Sequence, residues 1–353
     1  MNNHIKIDNR YIGHGYQPYI IAEISANHNG NISKALTLIK TAAECGADAV
    51  KIQTYTPDTM TIDCHHKDFQ INGGLWHGYS LYELYQKAHT PFEWHEELYY
   101  TARKAGIPIF STPFDETAVD LLESLNTPAY KIASFEITDL PLIRYVAKTG
   151  KPMIISTGMA SFAEINEAVE VSRTSGCNDI ILLHCTSAYP TPPKHANLKM
   201  IQDISHRLDI LTGLSDHTLG TTVAIAGVAT GACVIEKHFT LDRRDKGADS
   251  DFSIEPDELK QLVIETKIAH EAIGVVNYNR SKSERDNKAF RRSLYFIKDI
   301  KKGERITKQH IRRIRPGYGL PPKYYDLVIG CTSTQDIKRG TAATKDLIVE
   351  ELN

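Results

Sequence analysis

Short apolar runs alternate along most of the chain with stretches whose apolar residues recur at helical spacing. The first run, PYIIAEI from Pro18 to Ile24, is too short for a helix and leads into the turn-forming SANHNGN, so Glu23 ends a strand. After Gly30, the residues Ile32, Ala35, Leu36, Ile39, Ala42 and Ala43 share one helical face, and Gly46 follows as a C-terminal stop. DAVKIQT (Asp48 to Thr54) predicts a second strand, on which Lys51 and Gln53 point to the same side. From Tyr55 to Thr90 the periodicity fails. An excursion of this length, carrying Trp76 and LYELYQKA, predicts a partly helical insertion over the mouth of the fold rather than a structureless loop. Regularity resumes after Pro91, and strands are predicted to begin near residues 18, 48, 107, 129, 152, 180, 210 and 232.

Eight strand–helix units in that order predict a (β/α)8 TIM barrel, an α/β fold of roughly 250 residues. An open doubly wound sheet would carry a glycine-rich dinucleotide turn after its first strand, and no GxGxxG occurs. The barrel is expected over 1–274, its last helix packing Leu259, Leu262 and Val263 and fading near Gly274. Residues 275–292 are polar and charged and predict a linker. In the remaining segment, 293–353, DIKKGERITKQHI (Asp299 to Ile311) matches DIKRGTAATKDLI (Asp336 to Ile348), seven of thirteen positions being identical. The repeat predicts a compact module with twofold-like symmetry. Between the copies, RPGYGLPP presents Arg315 on a constrained loop suited to making a contact.

Composition narrows the function classes. The 353 residues carry a net charge of -2, which supplies no basic field for nucleic acid. The longest uncharged apolar run, about Val223 to Ile235, falls short of the roughly 20 residues that cross a bilayer. Six cysteines form no CxxC pair, as expected for a protein of the reducing cytoplasm.

Polar residues crowd the predicted strand ends: Glu23, Lys51, Gln53, Thr112, Lys131, Ser134, Glu136, Ser156, Ser187, Ser215, His217, Glu236, Lys237 and His238 among them. All fall at the C-terminal rim, where TIM barrels build their sites. Lysines with hydroxyls between them suit a phosphorylated or carboxylated ligand. His217 and His238 end neighbouring strands, so two imidazoles stand side by side, able to hold a divalent metal with open positions. Their spacing alone is no metal motif, and a lone histidine is more often a hydrogen-bonded structural residue. His28 reads equally as a ligand, a substrate contact or a turn cap; His184, His65 and His66 read as structural or solvated. Glu23 and Glu136 suit a general acid and base, or two structural carboxylates that hold lysines. Lys51 and Lys131 also suit Schiff-base chemistry.

AEISANHNG, ADAVKIQTY, FSTPFD, YKIASFE, ISTGM, HCTSAYP, GLSDHT, EKHF and RPGYGL, in that order, resemble the N-acetylneuraminate (sialic acid) synthase family over nearly the whole chain. The resemblance implies a TIM barrel followed by a small antifreeze-like (SAF) domain. It also implies metal-dependent condensation of phosphoenolpyruvate with an N-acetylated amino sugar to give nine-carbon acids of the kind found in cell-surface glycans. AEISANHNG, LYELYQKAHTPFEWH and RPGYGLPPK are most similar to the branch that makes pseudaminic acid from a 2,4-diacetamido-2,4,6-trideoxy hexose of altrose type; the sialic and legionaminic branches are the alternatives. By resemblance, His217 and His238 bind the metal (Mn, Mg or Co). Lys51, Thr112, Lys131, Ser134, Ser156, Asn197 and Ser215 hold phosphoenolpyruvate. Glu23, Gln53 and Tyr189 lie near the sugar, and Arg315 reaches the site of the partner subunit in a domain-swapped homodimer. The reaction requires a polarised aldehyde and a water delivered to C2, for which Glu136 is the candidate base. A Schiff-base aldolase and a non-catalytic SAF binding protein are the rival classes.

Overall fold

The computed structural model describes residues 4–73, 76–279 and 281–349. The chain divides into two compact units, 1–274 and 275–353. The first opens on a hairpin, β1 (Ile5–Ile7) and β2 (Arg10–Ile12), turned at Asp8 with φ 50°. Its Ile5, Ile7 and Ile12 are buried with the lower interior residues of the barrel and plug that end.

Eight parallel strands then close a barrel: β3 (Tyr19–Glu23), β4 (Ala49–Thr54), β5 (Ile109–Pro113), β6 (Tyr130–Ile132), β7 (Met153–Ser156), β8 (Ile180–Cys185), β9 (Leu211–Asp216) and β10 (Val234–His238), with β10 pairing back to β3. The eight predicted strands are all present. Period-two alternation assigns every strand residue a side. Tyr19, Ile21, Phe110, Ile154, Ile181, Leu183 and Val234 fill the interior, while Ile20, Val50, Ile109, Ile155, Leu182 and Ile235 pack outward beneath the helices. The interior is solid: a Cβ on Gly213 would lie 2.7 Å from Leu183 Cδ2. Continuing the inward parity toward the C-terminal rim, apolar residues give way to Glu23, Lys51, Thr112, Lys131, Ser156, Cys185, Ser215, Glu236 and His238.

The crossover helices are α1 (Ile32–Glu44) after β3, then, within and just after the insertion, α2 (Pro57–Met60), α3 (Leu81–Ala88) and α4 (His95–Ala105). They continue with α5 (Glu116–Ser124), α6 (Leu140–Ala147), α7 (Phe162–Thr174), α8 (Lys199–Leu208), α9 (Thr222–Ala229) and α10 (Pro256–Ile273). α9 starts at Thr222, because the chain from Asp216 turns first to carry His217, Thr218 N–H donating to Asp216 Oδ1. α3 is fixed by a Ser80–Glu83 capping box. The insertion lies over the mouth as expected: the Trp76 indole donates to Ala248 O at 3.3 Å. Among the described residues no helix is long and apolar enough to cross a membrane.

In the second unit, the stretch expected as a linker carries two short 3-10 helices, Lys282–Glu284 and Asp286–Phe290, and Gly317 N–H donates to Ala289 O at 2.8 Å. β11 (Ser293–Phe296) pairs with β12 (Ile311–Ile314), α11 (Tyr325–Val328) follows, and β13 (Thr332–Ser333) pairs with β14 (Ile348–Val349). The repeat interlocks reciprocally. Lys301 Nζ meets Asp336 at 2.8 Å, and Lys338 Nζ meets Asp299 at 2.8 Å. The same carboxylates accept from Lys302 N and Arg339 N.

Candidate active site

Four buried charges cross the rim. Glu23, at the end of β3, pairs with Lys51 on β4, whose Nζ lies 3.9 Å from Glu236 Oε2 and donates to Thr112 Oγ1 at 3.2 Å. Glu236 Oε1 accepts from Ser215 Oγ at 3.0 Å. Lys131 Nζ donates to Ser156 Oγ at 2.6 Å and to Ile132 O at 3.0 Å. Burial favours the neutral form of each group, and the partners decide which groups stay charged. Glu236 is buried, yet Lys131 and Lys51 bring its carboxyl below the usual value. Burial holds Glu23 above the carboxylate range; Lys51 opposes this and Glu236 adds to it. For Lys51, burial is outweighed by Glu23 and Glu236, and its pKa is raised. Lys131, bonded to a hydroxyl and a carbonyl, is lowered by burial against the pull of Glu236. A lysine so placed gains most from an arriving anion.

Beside this cluster, Ser134 Oγ accepts from Gly158 N–H at 3.1 Å. His217 and His238 stand with ring centroids 5.4 Å apart, and Tyr189 lies against His217 at 4.4 Å. His217 Nδ1 is 3.1 Å from Thr186 O and 3.8 Å from Cys185 Sγ. A carbonyl can only accept, so Nδ1 carries a proton; burial lowers the ring's pKa, but Cys185 and this carbonyl outweigh it and the pKa is raised. His238 Nδ1 is buried without a hydrogen-bond partner, 3.9 Å from Asp249 Oδ2, and burial with His217 nearby drives its pKa well down. A neutral imidazole with an orphaned nitrogen next to a second imidazole fits a divalent cation. Among the described residues no group of three or more His, Cys, Asp or Glu is arranged to hold one.

A cavity of about 370 Å³ opens from His238 and Tyr189 past Gln53, Glu136 and Asp249 to the insertion. Glu136 Oε2 is buried without a hydrogen-bond partner, and burial raises its pKa to about 7 against Lys131. Asp249 accepts from Ser25 Oγ at 2.6 Å.

The structure thus brings together Glu23, Lys51, Thr112, Lys131, Ser134, Ser156, Ser215, His217 and His238 at the rim, with Gln53, Glu136 and Tyr189 on the cavity. Asn197 does not line that cavity; it is exposed ahead of α8 with φ 41°. Arg315 lies in the second unit. His28 is a turn and clamp residue: Gly30 N–H donates to its Nδ1 at 3.1 Å, and Nε2 lies 3.3 Å from Thr90 Oγ1. His184 Nε2 meets Ala196 O at 2.7 Å, a structural bond. Lys237 faces away from the mouth. Its Nζ binds Asp216 at 2.8 Å and Thr218 O at 2.6 Å, locking the turn that carries His217. The sequence placed Glu236 at the rim without giving it a role and did not single out Asp249 or Cys185. The signal for Glu236 was parity, since it lies two residues before His238 on one strand; Asp249 comes from a loop and gave none.

The NeuB family model matches residues 38–278, and a SAF domain model matches 291–349. The chain belongs to the NeuB family. It is 44% identical over 324 residues to the pseudaminic acid synthase of Campylobacter jejuni, covering 92% of this chain and 94% of that one. Identity to the pseudaminic acid synthase of Helicobacter pylori is 44% over 336 residues, covering 95% and 99%. Among solved structures, the N-acetylneuraminic acid synthetase of Leptospira borgpetersenii in complex with citrate superposes with a TM-score of 0.73 at 33% identity, covering 80% of this chain and 94% of that one.

Proposed function

We propose that this chain condenses phosphoenolpyruvate with a 2,4-diacetamido-2,4,6-trideoxy hexose and water, giving pseudaminic acid and phosphate. The observation that carries this reading is the rim cluster, two buried lysines and four hydroxyls beside a pair of histidines, in a chain so similar to pseudaminic acid synthases.

Lys51 and Lys131, with Thr112, Ser134, Ser156 and Ser215, hold the phosphate and carboxylate of phosphoenolpyruvate and stabilise their charge throughout. His217 and His238 hold a divalent metal, Mn, Mg or Co, which when bound supplies Lewis-acid polarisation of the sugar aldehyde. Gln53 and Tyr189 orient the sugar so that its aldehyde carbon faces C3 of phosphoenolpyruvate. Bond formation there leaves C2 electron-poor and the aldehyde oxygen ready to take a proton. Glu136, ionised above pH 7, removes a proton from water as its oxygen adds to C2. Cleavage of the bond from C2 to the phosphate oxygen then expels phosphate as the new C2 hydroxyl gives up its proton and becomes the carbonyl, so that water's two protons end on the aldehyde oxygen and the departing phosphate. Glu23 and Glu236 keep Lys51 charged. The active form is a cytoplasmic homodimer in which Arg315 of one copy contacts the sugar end of the other copy's site.

The test is incubation with phosphoenolpyruvate, metal and three acceptors: the altrose-type trideoxy sugar, its manno isomer and N-acetylmannosamine. Phosphate release and a product mass with the highest kcat/KM for the first acceptor support the reading, and preference for either of the others reassigns the branch. The lowered pKa of Lys131 also suits imine formation. Borohydride trapping with substrate, insensitive to chelator, would establish an aldolase instead.

A further inference from the structure

α3 presents a pattern that a buried helix would use for packing. Leu81, Leu84, Tyr85 and Ala88 stand at i, i+3, i+4 and i+7, the apolar stripe of an amphipathic helix. No residue of α3 is buried. The stripe lines the 370 Å³ cavity, where Met60 at the end of α2 and Ile71 extend it. Phe114, after β5, and Phe135, after β6, face the same space, and Phe135 is 62% exposed. Tyr55 braces the wall, edge-on to Tyr85 at 5.8 Å and to Phe114 at 5.2 Å. The opposite side of the cavity carries Gln53, Glu136, Tyr189, His238 and Asp249. One cavity therefore has a reactive polar side and an apolar wall supplied chiefly by the insertion.

A fully hydroxylated sugar places a hydroxyl at C4 and another at C6, and against this wall both would lose water without gaining a partner. A sugar with a methyl at C6 and an acetamido group at C4 turns two methyl groups toward it instead. We infer that the α3 stripe, with Met60 and Ile71, is the specificity wall that selects an acceptor sugar by its C6 methyl and the methyl of its C4 acetamido group. This inference rests on the function proposed above and deepens it. It separates trideoxy diacetamido sugars from N-acetylhexosamines, and it is indifferent to ring stereochemistry.

The test compares kcat/KM for the altrose-type trideoxy sugar, its manno isomer and N-acetylmannosamine in the wild-type protein, Leu84→Gln and Met60→Gln. Gln is a good helix former, so α3 is retained, and thermal unfolding confirms folding. The wild type is expected to prefer the trideoxy sugars to N-acetylmannosamine by about 100-fold, the scale at which apolar pockets discriminate. Each variant should compress that ratio about tenfold or more through the trideoxy sugar's KM, with phosphoenolpyruvate KM unchanged. Ratios unchanged in both folded variants overturn the wall while the reaction stands. An altered dimer dissociation constant in their place would assign the stripe to a protein contact. A wild type that turns over only N-acetylmannosamine, or neither class of sugar, overturns the functional reading and the wall with it.

Discussion

Gly158 offers the most direct check on the anion site. It lies in the ISTGM turn after β7, its φ is outside the left-handed region, and alanine there carries no backbone penalty. Space is the obstacle. A Cβ would meet Ser187 Oγ and would lie 2.7 Å from Ser134 Oγ and 3.1 Å from Ser134 Cβ, where ordinary contact begins near 3.4 Å. The two hydroxyls can turn away, but Ser134 Cβ cannot, so its backbone must retreat by about 0.3 Å. When its Oγ turns, it gives up the 3.1 Å bond from Gly158 N–H. Overpacking of this kind costs about 1–3 kcal/mol. Misplacing a positioning group by a fraction of an ångström to an ångström costs up to about 100-fold in rate. Gly158→Ala should therefore raise phosphoenolpyruvate KM by about 10- to 100-fold while sugar KM changes little and the protein still unfolds cooperatively. Initial rates of phosphate release against each substrate, with a thermal melt, measure this. A folded variant with wild-type phosphoenolpyruvate KM would refute the placement of Ser134 in the anion site.

Other perturbations test separate parts. With Glu136 near pKa 7 and acting as its ionised form, kcat should rise with pH through about 7; Glu136→Gln should lower kcat about 100- to 10,000-fold and remove that limb, and a preserved limb would exclude it as the base. His238→Ala should abolish turnover and weaken metal binding measured by calorimetry, whereas undiminished wild-type activity in chelator would discard the metal pair. Lys237→Met leaves Asp216 buried and unpaired, both side chains being no more than 1% exposed, and should cost about 3–5 kcal/mol in denaturant unfolding. A near-neutral result would mean the pair does not lock the His217 turn. Arg315→Ala should raise sugar KM without altering the melt, and unchanged kinetics would remove Arg315 from the site.

The strand count was legible because each barrel strand is a short apolar run punctuated by turn residues, and this local pattern needs no knowledge of distant partners. The rim residues were legible for the same reason: their position at the ends of the predicted strands placed Lys51, Lys131, Ser215 and His238 on one mouth before any contact was known. The repeat in the second unit likewise announced its symmetry through DIK and TK at matching positions. Parity along β10 separates Glu236, which shares the inward side of His238, from Lys237, which turns outward to Asp216 although both lie at the rim. Tertiary structure alone decided how the charges are shared. Whether Glu23 or Glu236 keeps its proton depends on which lysine sits within a few ångströms across strands far apart in sequence, and burial magnifies that difference. Tertiary structure also brought Asp249 from a loop to His238, fixed His28 as a clamp on Thr90, and aimed the apolar stripe of α3 at a cavity rather than a core. Sequence encodes which face of an element is apolar; only the folded chain determines what that face meets.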